Sequence, residues 1–499
     1  MSSPVQLDVA ARRAELAPRR PAVWWRGDWI DYGTLNQRAE RLAGRLYAEG
    51  IRPGDRVSIL AHNHVAHLDL ILATAKSGAV YAPLNVRLAP AEQTAIAAYL
   101  RPSLLLHDED HREGADATGV PRVELERYDD WLGDPAPAPT PALTLDDPQM
   151  ILLTGGTTGL PKGAVQPYRQ GFVNAENTVL SWGLRDDDGC VQATPCFHAA
   201  VNALTLPLLH LGGRVALLER FEPAAYLDAV QASDATLMFL VPTMYQLVAE
   251  DPSFASADLS RIRWAISGGA PCPDPVRRAF ADRGVRFKQG YGLTEAGVNC
   301  FAIDLDDAEA HPDAVGVPIL RAVAEVRRPD GTPCDVGEVG ELTLAGEHLF
   351  AGYFERPDAT AETLRDGWLW TGDLASRDEE GRYRIVGRRK EMFISGGENV
   401  YPAEIERALH DHPRVGACAV VGVPDERWGE VGLMAVVPRH GVQQTGDELT
   451  GDELRAWLRE RLARYKVPKH VRLLDALPTS GAGKILKAEL AHSFTEENR

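Results

Sequence analysis

Residues 154–163 (TGGTTGLPKG) restrict the fold more than any other part of the sequence, and they directly follow the apolar run 150–153. The glycines let the backbone approach a ligand and turn successive N–H groups toward an anion. Thr157 and Thr158 add hydroxyl donors, and Lys162 adds a positive charge. A strand that leads into such a loop is typical of an α/β protein that binds polyphosphate. A flexible glycine–threonine linker is the alternative, but ten constrained positions after a strand argue against it.

The loop does not match the nucleotide-binding pattern G-x-x-x-x-G-K-[ST]. In that pattern a Ser or Thr follows the lysine, and its hydroxyl holds Mg²⁺. Here Pro161 precedes Lys162, and Gly163 follows it. The sequence therefore disfavours a kinase of the P-loop type, although polyphosphate binding is still predicted.

The first half of the chain alternates short apolar runs with helical patterns. Residues 56–60 (RVSIL) are typical of a buried strand, 64–77 of an amphipathic helix that ends at Gly78, and 79–83 of the next strand. This rhythm predicts an α/β fold with a mostly parallel sheet covered by helices. It returns in later runs that Gly or Pro residues bound, at 214–218, 235–241, 263–267 and 285–289.

Three segments depart from this rhythm. Alternating apolar residues at 338–345 indicate a barrel-like antiparallel patch, and the proline-rich stretch 134–148 indicates an extended surface connector. After Gly387 the sequence predicts a small α+β domain. Its expected elements are two strands, a helix and a last strand, at 416–423, 433–437, 452–465 and 471–474.

Charge and composition exclude several classes of protein. The chain has 53 Lys+Arg and 71 Asp+Glu, and the net charge of −18 disfavours binding to nucleic acid or to anionic membrane surfaces. No uninterrupted apolar run is long enough for a membrane span, and the N-terminus lacks a secretory signal, so a cytoplasmic location is expected. Six scattered cysteines without a C-x-x-C pair favour reduced thiols over zinc or disulfides. His62, His64 and His67 are interpreted as solvated or capping residues rather than metal ligands.

Seven further motifs follow the loop along the chain. They are 195–198 (PCFH), 267–270 (SGGA), 289–295 (QGYGLTE), 370–373 (WTGD), 387–391 (GRRKE), 395–406 (SGGENVYPAEIE) and 483–487 (GKILK). With the loop, they resemble the motifs of the adenylate-forming superfamily, which includes acyl-CoA synthetases, firefly-type luciferases and nonribosomal adenylation domains. The resemblance implies a large N-terminal domain of helix-covered sheets with a distorted β-barrel (1–387), a small mobile C-terminal lid (388–499) and a hinge near Lys390.

The resemblance also implies an ATP site. Tyr291 stands between two glycines and offers an aromatic face that suits stacking on a flat base. Asp373 accepts hydrogen bonds from the ribose hydroxyls, and Arg388 reaches the same ribose or the phosphate. The implied ATP- and AMP-binding residues are Thr154, Gly155, Gly156, Thr157, Thr158, Gly159, Lys162, Gly269, Ala270, Pro271, Gly290, Tyr291, Gly292, Asp373 and Arg388.

Roles in catalysis are implied for Thr294, Glu295, Lys484 and, as the gate of the acyl pocket, His198. Thr294 contacts the α-phosphate, and Glu295 holds Mg²⁺, for which a hard carboxylate oxygen is the right type of ligand. Lys484 neutralises the charge that develops on the α-phosphate and on the attacking carboxylate. For the second step, Gly396 and Gly397 border a tunnel for the pantetheine arm of CoA.

The acyl pocket is implied at His198, Phe239 and Gly268, with His198 as its gate. A buried structural histidine is a serious rival interpretation for His198. Because Gly268 and Gly269 leave the pocket wall without bulk, an elongated or planar acid is expected. One departure concerns the phosphate loop, which has Gly155 where the family more often has Ser, so one hydroxyl donor is missing.

The predicted activity is that of an ATP-dependent carboxylic acid:CoA ligase with Mg²⁺ as cofactor. An acyl-adenylate forms first with release of pyrophosphate, and a thioester forms second with AMP as the leaving group, while the lid alternates between two positions. Fatty, aryl and cinnamate-like acids all remain open. The nearest alternative is transfer to a carrier protein in trans, or to another nucleophile such as an amine or nitrite. A luciferase-like oxygenase and a non-catalytic ATP- or acyl-binding sensor are weaker alternatives, and monomer and homodimer are both open.

Overall fold

The computed structural model describes residues 7–155, 161–439, 449–479 and 485–497. The chain divides into two units, each made of segments that are separate in sequence. The first unit consists of Met1–Pro271, Phe280–Ala324 and Leu344–Leu369. The second unit consists of Cys272–Ala279, Glu325–Thr343 and Trp370–Arg499.

Helices and strands alternate along most of the described chain. The helices are α1 (Val9–Leu16), α2 (Tyr32–Ala48), α3 (Val65–Ser77), α4 (Pro90–Leu100), α5 (Arg112–Thr118), α6 (Tyr128–Leu132), α7 (Tyr168–Trp182), α8 (Thr205–Leu211), α9 (Pro223–Ala232), α10 (Pro242–Glu250), α11 (Asp274–Ala281), α12 (Leu305–Ala310), α13 (Pro357–Thr363), α14 (Pro402–His410), α15 (Gly451–Arg459) and α16 (Lys487–Glu497). The strands are β1 (Pro21–Trp25), β2 (Asp28–Asp31), β3 (Arg56–Leu60), β4 (Val80–Tyr81), β5 (Leu104–His107), β6 (Arg122–Glu124), β7 (Pro148–Thr154), β8 (Lys162–Pro167), β9 (Gly189–Gln192), β10 (Arg214–Leu217), β11 (Leu237–Leu240), β12 (Trp264–Ser267), β13 (Phe287–Gln289), β14 (Phe301–Ala302), β15 (Ala314–Pro318), β16 (Val323–Arg327), β17 (Gly340–Ala345), β18 (Gly352–Tyr353), β19 (Leu364–Arg365), β20 (Trp368–Arg377), β21 (Tyr383–Arg388), β22 (Phe393–Ser395), β23 (Glu398–Val400), β24 (Val415–Asp425), β25 (Gly429–Pro438) and β26 (His470–Leu473).

Two seven-stranded sheets form the frame of the first unit. One has the strand order β13-β12-β11-β9-β10-β1-β2 and is parallel except for the β1–β2 pair. The other has the order β18-β8-β7-β4-β3-β5-β6, with β8 antiparallel to both of its neighbours. The mostly parallel α/β sheet that the sequence predicts is therefore confirmed. The strand expected at 79–83 is shorter and covers only β4.

Helix α3 shows how local sequence signals set the bounds of an element. The Nδ1 atom of His64 accepts a hydrogen bond from Ala66 N at 3.1 Å and caps the first turn. Gly78 ends the helix with a φ of 71°, a left-handed conformation that glycine adopts without strain. The predicted amphipathic pattern is wrong for this helix, because buried residues lie on nearly all of its sides.

The second unit contains an antiparallel pair, β20–β21, and a separate sheet with the order β23-β22-β25-β24. Strand β26 adds to β25 in parallel. Buried residues of α14 and α15, such as Ile405 and Leu454, pack with the apolar side chains of this sheet in one core. The predicted α+β character is confirmed, but the helix expected over 452–465 ends at Arg459. In the part of the chain that the structure describes, no helix has the length and apolar character needed to cross a bilayer.

Candidate active site

The strands on either side of the phosphate loop hold its two ends together. β7 and β8 pair antiparallel, with Thr154 opposite Lys162. The Thr154 hydroxyl donates to the carbonyl oxygen of Lys162 at 3.4 Å, and Gly155 is exposed. Four predicted phosphate-binding residues, Gly156, Thr157, Thr158 and Gly159, lie outside the described residues, and their roles stay predictions.

Lys162 and Gly163, at the C-terminal end of the loop, have close neighbours. Lys162 Nζ lies 4.9 Å from the ring centroid of Tyr353, a distance at which the ring attracts the cation. A Cβ atom on Gly163 would lie 2.7 Å from Cγ2 of Ile151. A side chain after the lysine therefore requires Ile151 to shift.

The segment 290–295 forms a tight turn beside β12. Gly290 N donates to the carbonyl oxygen of Ser267 at 2.7 Å. A Cβ atom on Gly292 would lie 1.7 Å from the carbonyl oxygen of Val298, so the turn requires glycine at this position. The half-buried ring of Tyr291 meets Phe301 edge-on, with 5.7 Å between centroids. The turn therefore holds Tyr291 through its backbone and through one edge of its ring.

Glu295 is a nearly buried carboxylate with a defined partner. It is 9% exposed, and its Oε1 accepts a hydrogen bond from the Tyr353 hydroxyl at 2.8 Å. Burial and the negative charge of Glu295 raise the pKa of Tyr353, which keeps the hydroxyl protonated as a donor. A hard carboxylate oxygen in this setting fits a divalent cation such as Mg²⁺. Sequence reasoning missed Tyr353, since its partner lies 58 residues away along the chain.

Two buried glutamines hold the backbone of Thr294. The side-chain amides of Gln166 and Gln170 both donate to the carbonyl oxygen of Thr294, at 3.0 and 3.1 Å. Asn202 in turn donates to Oε1 of Gln166 at 3.0 Å. These glutamines belong to the segment that follows the phosphate loop, so this segment and the 294–295 turn form one connected network. Sequence reasoning missed them as well.

The predicted acyl-pocket residues lie on two neighbouring parallel strands and one loop. Phe239 is on β11, and Gly268 directly follows its neighbour β12. A Cβ atom on Gly268 would lie 3.2 Å from Cε2 of Phe239, so the glycine lets the ring approach closely. His198 is half-buried, so it is less buried than the structural core histidine of the rival interpretation. The centroid of its ring lies 4.6 Å from that of Phe197.

The predicted base-binding segment 269–271 follows this glycine. Gly269 has a φ of 84°, and Ala270 and Pro271 are exposed. The side-chain amide of Gln289 donates to the carbonyl oxygen of Ala270 at 3.1 Å. This bond ties the segment to the strand that leads into the 290–295 turn.

In the second unit, Asp373 and Arg388 face each other across the β20–β21 pair. The carboxylate of Asp373 is almost fully buried, and its Oδ1 lies 2.7 Å from Nε of Arg388. The side chain of Arg388 is 54% exposed. The adjacent Gly372 N donates to Oε1 of Glu341 at 3.0 Å, which fixes the turn before Asp373.

The remaining predicted residues of the second unit are Lys390, Gly396, Gly397 and Lys484. Lys390 is exposed and lies two residues after the end of β21. Gly396 and Gly397 have φ values of 61° and 88°, and a Cβ atom on Gly396 would lie 2.8 Å from Cε3 of Trp428. Lys484 lies outside the described residues, so its role stays a prediction.

Three histidines outside these motifs, His62, His67 and His111, have hydrogen-bond partners. His67 is fully buried between the Tyr81 hydroxyl (2.7 Å) and the carbonyl oxygen of His62 (3.2 Å), so the expectation of solvated or capping histidines is wrong for it. Burial lowers the pKa of His67 to about 4. His62 also lies near Asp108 and His111, but Asp108 accepts hydrogen bonds from both residues in a closed local network. All six cysteines lie in the described ranges, and none of them forms a disulfide.

Comparison with known proteins decides the family. A model of the AMP-binding enzyme family matches residues 10–354, and a model of the AMP-binding enzyme C-terminal domain matches residues 404–484. The chain belongs to the AMP-binding enzyme family. This family of adenylate-forming enzymes is the one that the sequence motifs predict, so the resemblance is confirmed.

Similar proteins cover almost the full length of the chain. A feruloyl-CoA synthase of Amycolatopsis sp is 44% identical over 97% of this chain and 98% of its own. An indoleacetate–CoA ligase of Aromatoleum aromaticum is 34% identical over 96% of both chains. The solved structure of o-succinylbenzoate CoA synthetase from Bacillus subtilis, in complex with its acyl-adenylate intermediate, has a TM-score of 0.89 and 28% identity over 97% of this chain and 98% of that one.

These relatives establish the activity class of this AMP-binding enzyme. The chain is an ATP-dependent acid:CoA ligase that acts through an acyl-adenylate. The predicted class of ligase is therefore confirmed. The predicted α/β fold, with a large N-terminal domain of sheets and helices and a C-terminal domain, is confirmed as well.

Proposed function

We propose that the acid activated by this ligase is a hydroxycinnamate-type aryl acid such as ferulate. The observation that carries the proposal is the 44% identity with feruloyl-CoA synthase over 97% of the chain. Indoleacetate, named in a second relative, is an aromatic acid too. The ring of Phe239 beside Gly268 offers a flat apolar surface, which suits a planar conjugated acid better than a flexible fatty chain.

In the first reaction, a carboxylate oxygen of the acid attacks the α-phosphorus of ATP, and the bond from that phosphorus to the bridging oxygen of the β-phosphate breaks. Residues 154–163 bind the β- and γ-phosphates of the departing pyrophosphate. Thr294 donates to the α-phosphate, and the ammonium of Lys484 stabilises the charge on the pentacovalent centre. Two buried amides hold the carbonyl oxygen of Thr294, which supports a fixed position for this residue.

Residues of several motifs are assigned to the nucleoside part of ATP. Tyr291 stacks on the base, with Gly290 and Gly292 beside it, and segment 269–271 lies along the other side of the base. The carboxylate of Asp373 accepts hydrogen bonds from the ribose hydroxyls, and Arg388 pairs with that carboxylate. The Nε–Oδ1 distance of 2.7 Å supports this pairing.

The second reaction needs a different arrangement of the same enzyme. The sulfur of CoA attacks the acyl carbonyl carbon as a thiolate, and the bond from that carbon to the AMP oxygen breaks. We assign residues 1–387 to an adenylation domain and 388–499 to a lid that pivots at Lys390 and brings Gly396 and Gly397 to the pantetheine arm. The positive φ values of these two glycines support a tight loop there. His198 gates the acyl pocket.

Glu295 would hold Mg²⁺ with ATP. Its carboxylate is nearly buried and is engaged by the Tyr353 hydroxyl on one oxygen, so the residues present fit a divalent cation. When bound, the cation neutralises negative charge on the phosphate oxygens. None of the six cysteines, all in the described ranges, forms a disulfide, which fits a reducing compartment. We propose that the enzyme is in the cytoplasm, where ATP and CoA are both available.

An acid panel tests the substrate. The purified enzyme is given ATP, Mg²⁺ and CoA with ferulate, cinnamate, indoleacetate or dodecanoate, and both pyrophosphate and CoA thioester are measured. We expect the highest kcat/KM for ferulate and equal amounts of the two products. A higher kcat/KM for dodecanoate would overturn the proposed acid. Pyrophosphate without thioester would overturn CoA as acceptor.

A lysine variant tests the first reaction separately. Lys484→Ala should lose pyrophosphate formation by at least about a hundredfold while still making thioester from added acyl-adenylate and CoA. The matched control is Lys469→Ala, which removes an exposed lysine that pairs with Asp425 at 2.6 Å. Equal losses in the two reactions of Lys484→Ala would contradict its assigned role.

A further inference from the structure

We propose that Tyr353 is a positioning residue, which fixes the Glu295 carboxylate for the divalent cation and links it to Lys162 at the end of the phosphate loop. The inference rests on the proposed role of Glu295 as the metal ligand. Tyr353 lies outside every motif that the sequence analysis identified. Its own contacts therefore carry the argument.

The backbone holds Tyr353 in a fixed place. It lies opposite Ala164 in the antiparallel β18–β8 pair. Its N–H donates to the Thr360 hydroxyl at 2.9 Å, and the N–H of the next residue, Phe354, donates to the carbonyl oxygen of Gly163 at 2.8 Å. The side chain of Tyr353 therefore starts from a point that is fixed relative to the end of the phosphate loop.

The hydroxyl of Tyr353 orients a buried carboxylate. It donates to Oε1 of Glu295 at 2.8 Å, and Phe350 N donates to the backbone carbonyl oxygen of Glu295 at 2.9 Å. Because one oxygen is engaged, Oε2 is presented to a cation in a fixed direction.

The ring of Tyr353 makes a second contact, with Lys162. Lys162 Nζ lies 4.9 Å from its centroid, so the ring orients the ammonium group of this lysine at the end of the phosphate loop. One side chain thus contacts both the proposed metal ligand and the phosphate-loop lysine. Substitution by Phe keeps the ring and removes the hydroxyl, which contacts the side chains of Glu295 and Thr363. It therefore separates the contacts of the hydroxyl from those of the ring.

The test measures equilibrium binding rather than turnover. ATP binding to Tyr353→Phe is followed by calorimetry over a series of Mg²⁺ concentrations, without acid or CoA. Loss of a hydrogen bond to a charged group should raise the half-saturating Mg²⁺ concentration about tenfold. The dissociation constant for ATP in EDTA should stay at the wild-type value. The matched control is Tyr32→Phe, which removes a buried hydroxyl that donates to the carbonyl oxygen of Gly213 at 2.7 Å.

A double-mutant cycle shows whether Tyr353 acts through Glu295. Glu295→Gln should raise the half-saturating Mg²⁺ concentration, and adding Tyr353→Phe should raise it no further. If Glu295→Gln has no effect, the metal role of Glu295 is wrong and the inference on Tyr353 is overturned with it. If Glu295→Gln has an effect and Tyr353→Phe has none, the positioning role alone is overturned. Equal weakening of ATP binding by Tyr353→Phe with and without Mg²⁺, or a melting temperature lower than that of Tyr32→Phe, would indicate a structural role and also overturn it.

Discussion

Arg388 Nε lies 2.7 Å from Oδ1 of Asp373, across the register-paired strands β20 and β21. The carboxylate is buried while the guanidinium is half-exposed, so the pair holds a negative charge at a fixed position with its cation directed outward. Arg388 is two residues before Lys390, the proposed hinge. Arg388 thus pairs with Asp373, the residue proposed to bind the ribose. Arg388 is also the last residue of β21 and the first residue of the proposed lid.

If Asp373 binds the ribose, its removal should abolish discrimination between ribose analogues. We expect Asp373→Ala to raise the dissociation constant of ATP by about tenfold to a hundredfold, because a hydrogen bond to a charged acceptor is lost. The same variant should bind 2′-deoxy-ATP and 3′-deoxy-ATP with the same affinity as ATP. Calorimetry measures all three constants. Asp378→Ala, which breaks the 2.9 Å pair with Arg382 in the same hairpin, is the control and should keep wild-type discrimination.

The turn before Thr294 should tolerate no side chain at Gly292. A Cβ atom there would lie 1.7 Å from the backbone carbonyl oxygen of Val298, so the backbone must move. We expect Gly292→Ala to lower the free energy of unfolding by about 3 kcal/mol and to weaken ATP binding. Urea denaturation and calorimetry measure the two effects. Gly189→Ala, whose nearest neighbour would be Cβ of Arg214 at 3.5 Å, is the matched control, and a loss equal to that of Gly292→Ala would refute the steric argument.

Local patterns in the sequence were enough to predict the frame that carries the site. The glycine-rich run predicted that β7 would lead into a loop, and the cap residue and the stop signal of α3 lie where His64 and Gly78 predicted them. The helix expected over 452–465 is too long, because Leu462 packs against the same core as Leu454 and Leu458 although the helix has ended at Arg459. Periodicity reports which residues face a core and does not by itself report whether the chain is still helical there.

The residues that hold the site together could not be predicted in this way. Tyr353 meets Glu295 across 58 residues, and Gln166 meets Thr294 across 128 residues. Such contacts depend on how sheets and loops assemble, and no local pattern in the sequence encodes that assembly. The motifs therefore identified the groups expected to touch ATP but missed the hydroxyl and the amides that orient them.

The close approach of Phe239 to Gly268 predicts selective effects on acid binding. A Cβ atom at 268 would lie 3.2 Å from Cε2 of Phe239, so Gly268→Val must displace the ring. We expect the KM for ferulate to rise about tenfold, while the KM for ATP stays within a factor of two. Steady-state kinetics measure both constants. Adding Phe239→Leu to Gly268→Val should recover part of the loss, and an unchanged KM for ferulate in the single variant would place the pocket elsewhere.

Stability should fall in mild acid because His67 is buried without charge. Burial lowers the pKa of His67 to about 4, from a value of about 6.5 in the unfolded chain. Between these values the unfolded state binds more protons, so the stability that is present above pH 6.5 is lost as pH falls toward 4. From pH 7.5 to 5.0 this histidine alone should cost about 2 kcal/mol. Urea unfolding at both pH values should show that His67→Gln shrinks the difference by that amount, whereas His492→Gln, at an exposed position, serves as the control. Equal pH dependence in His67→Gln and the wild type would contradict the assignment.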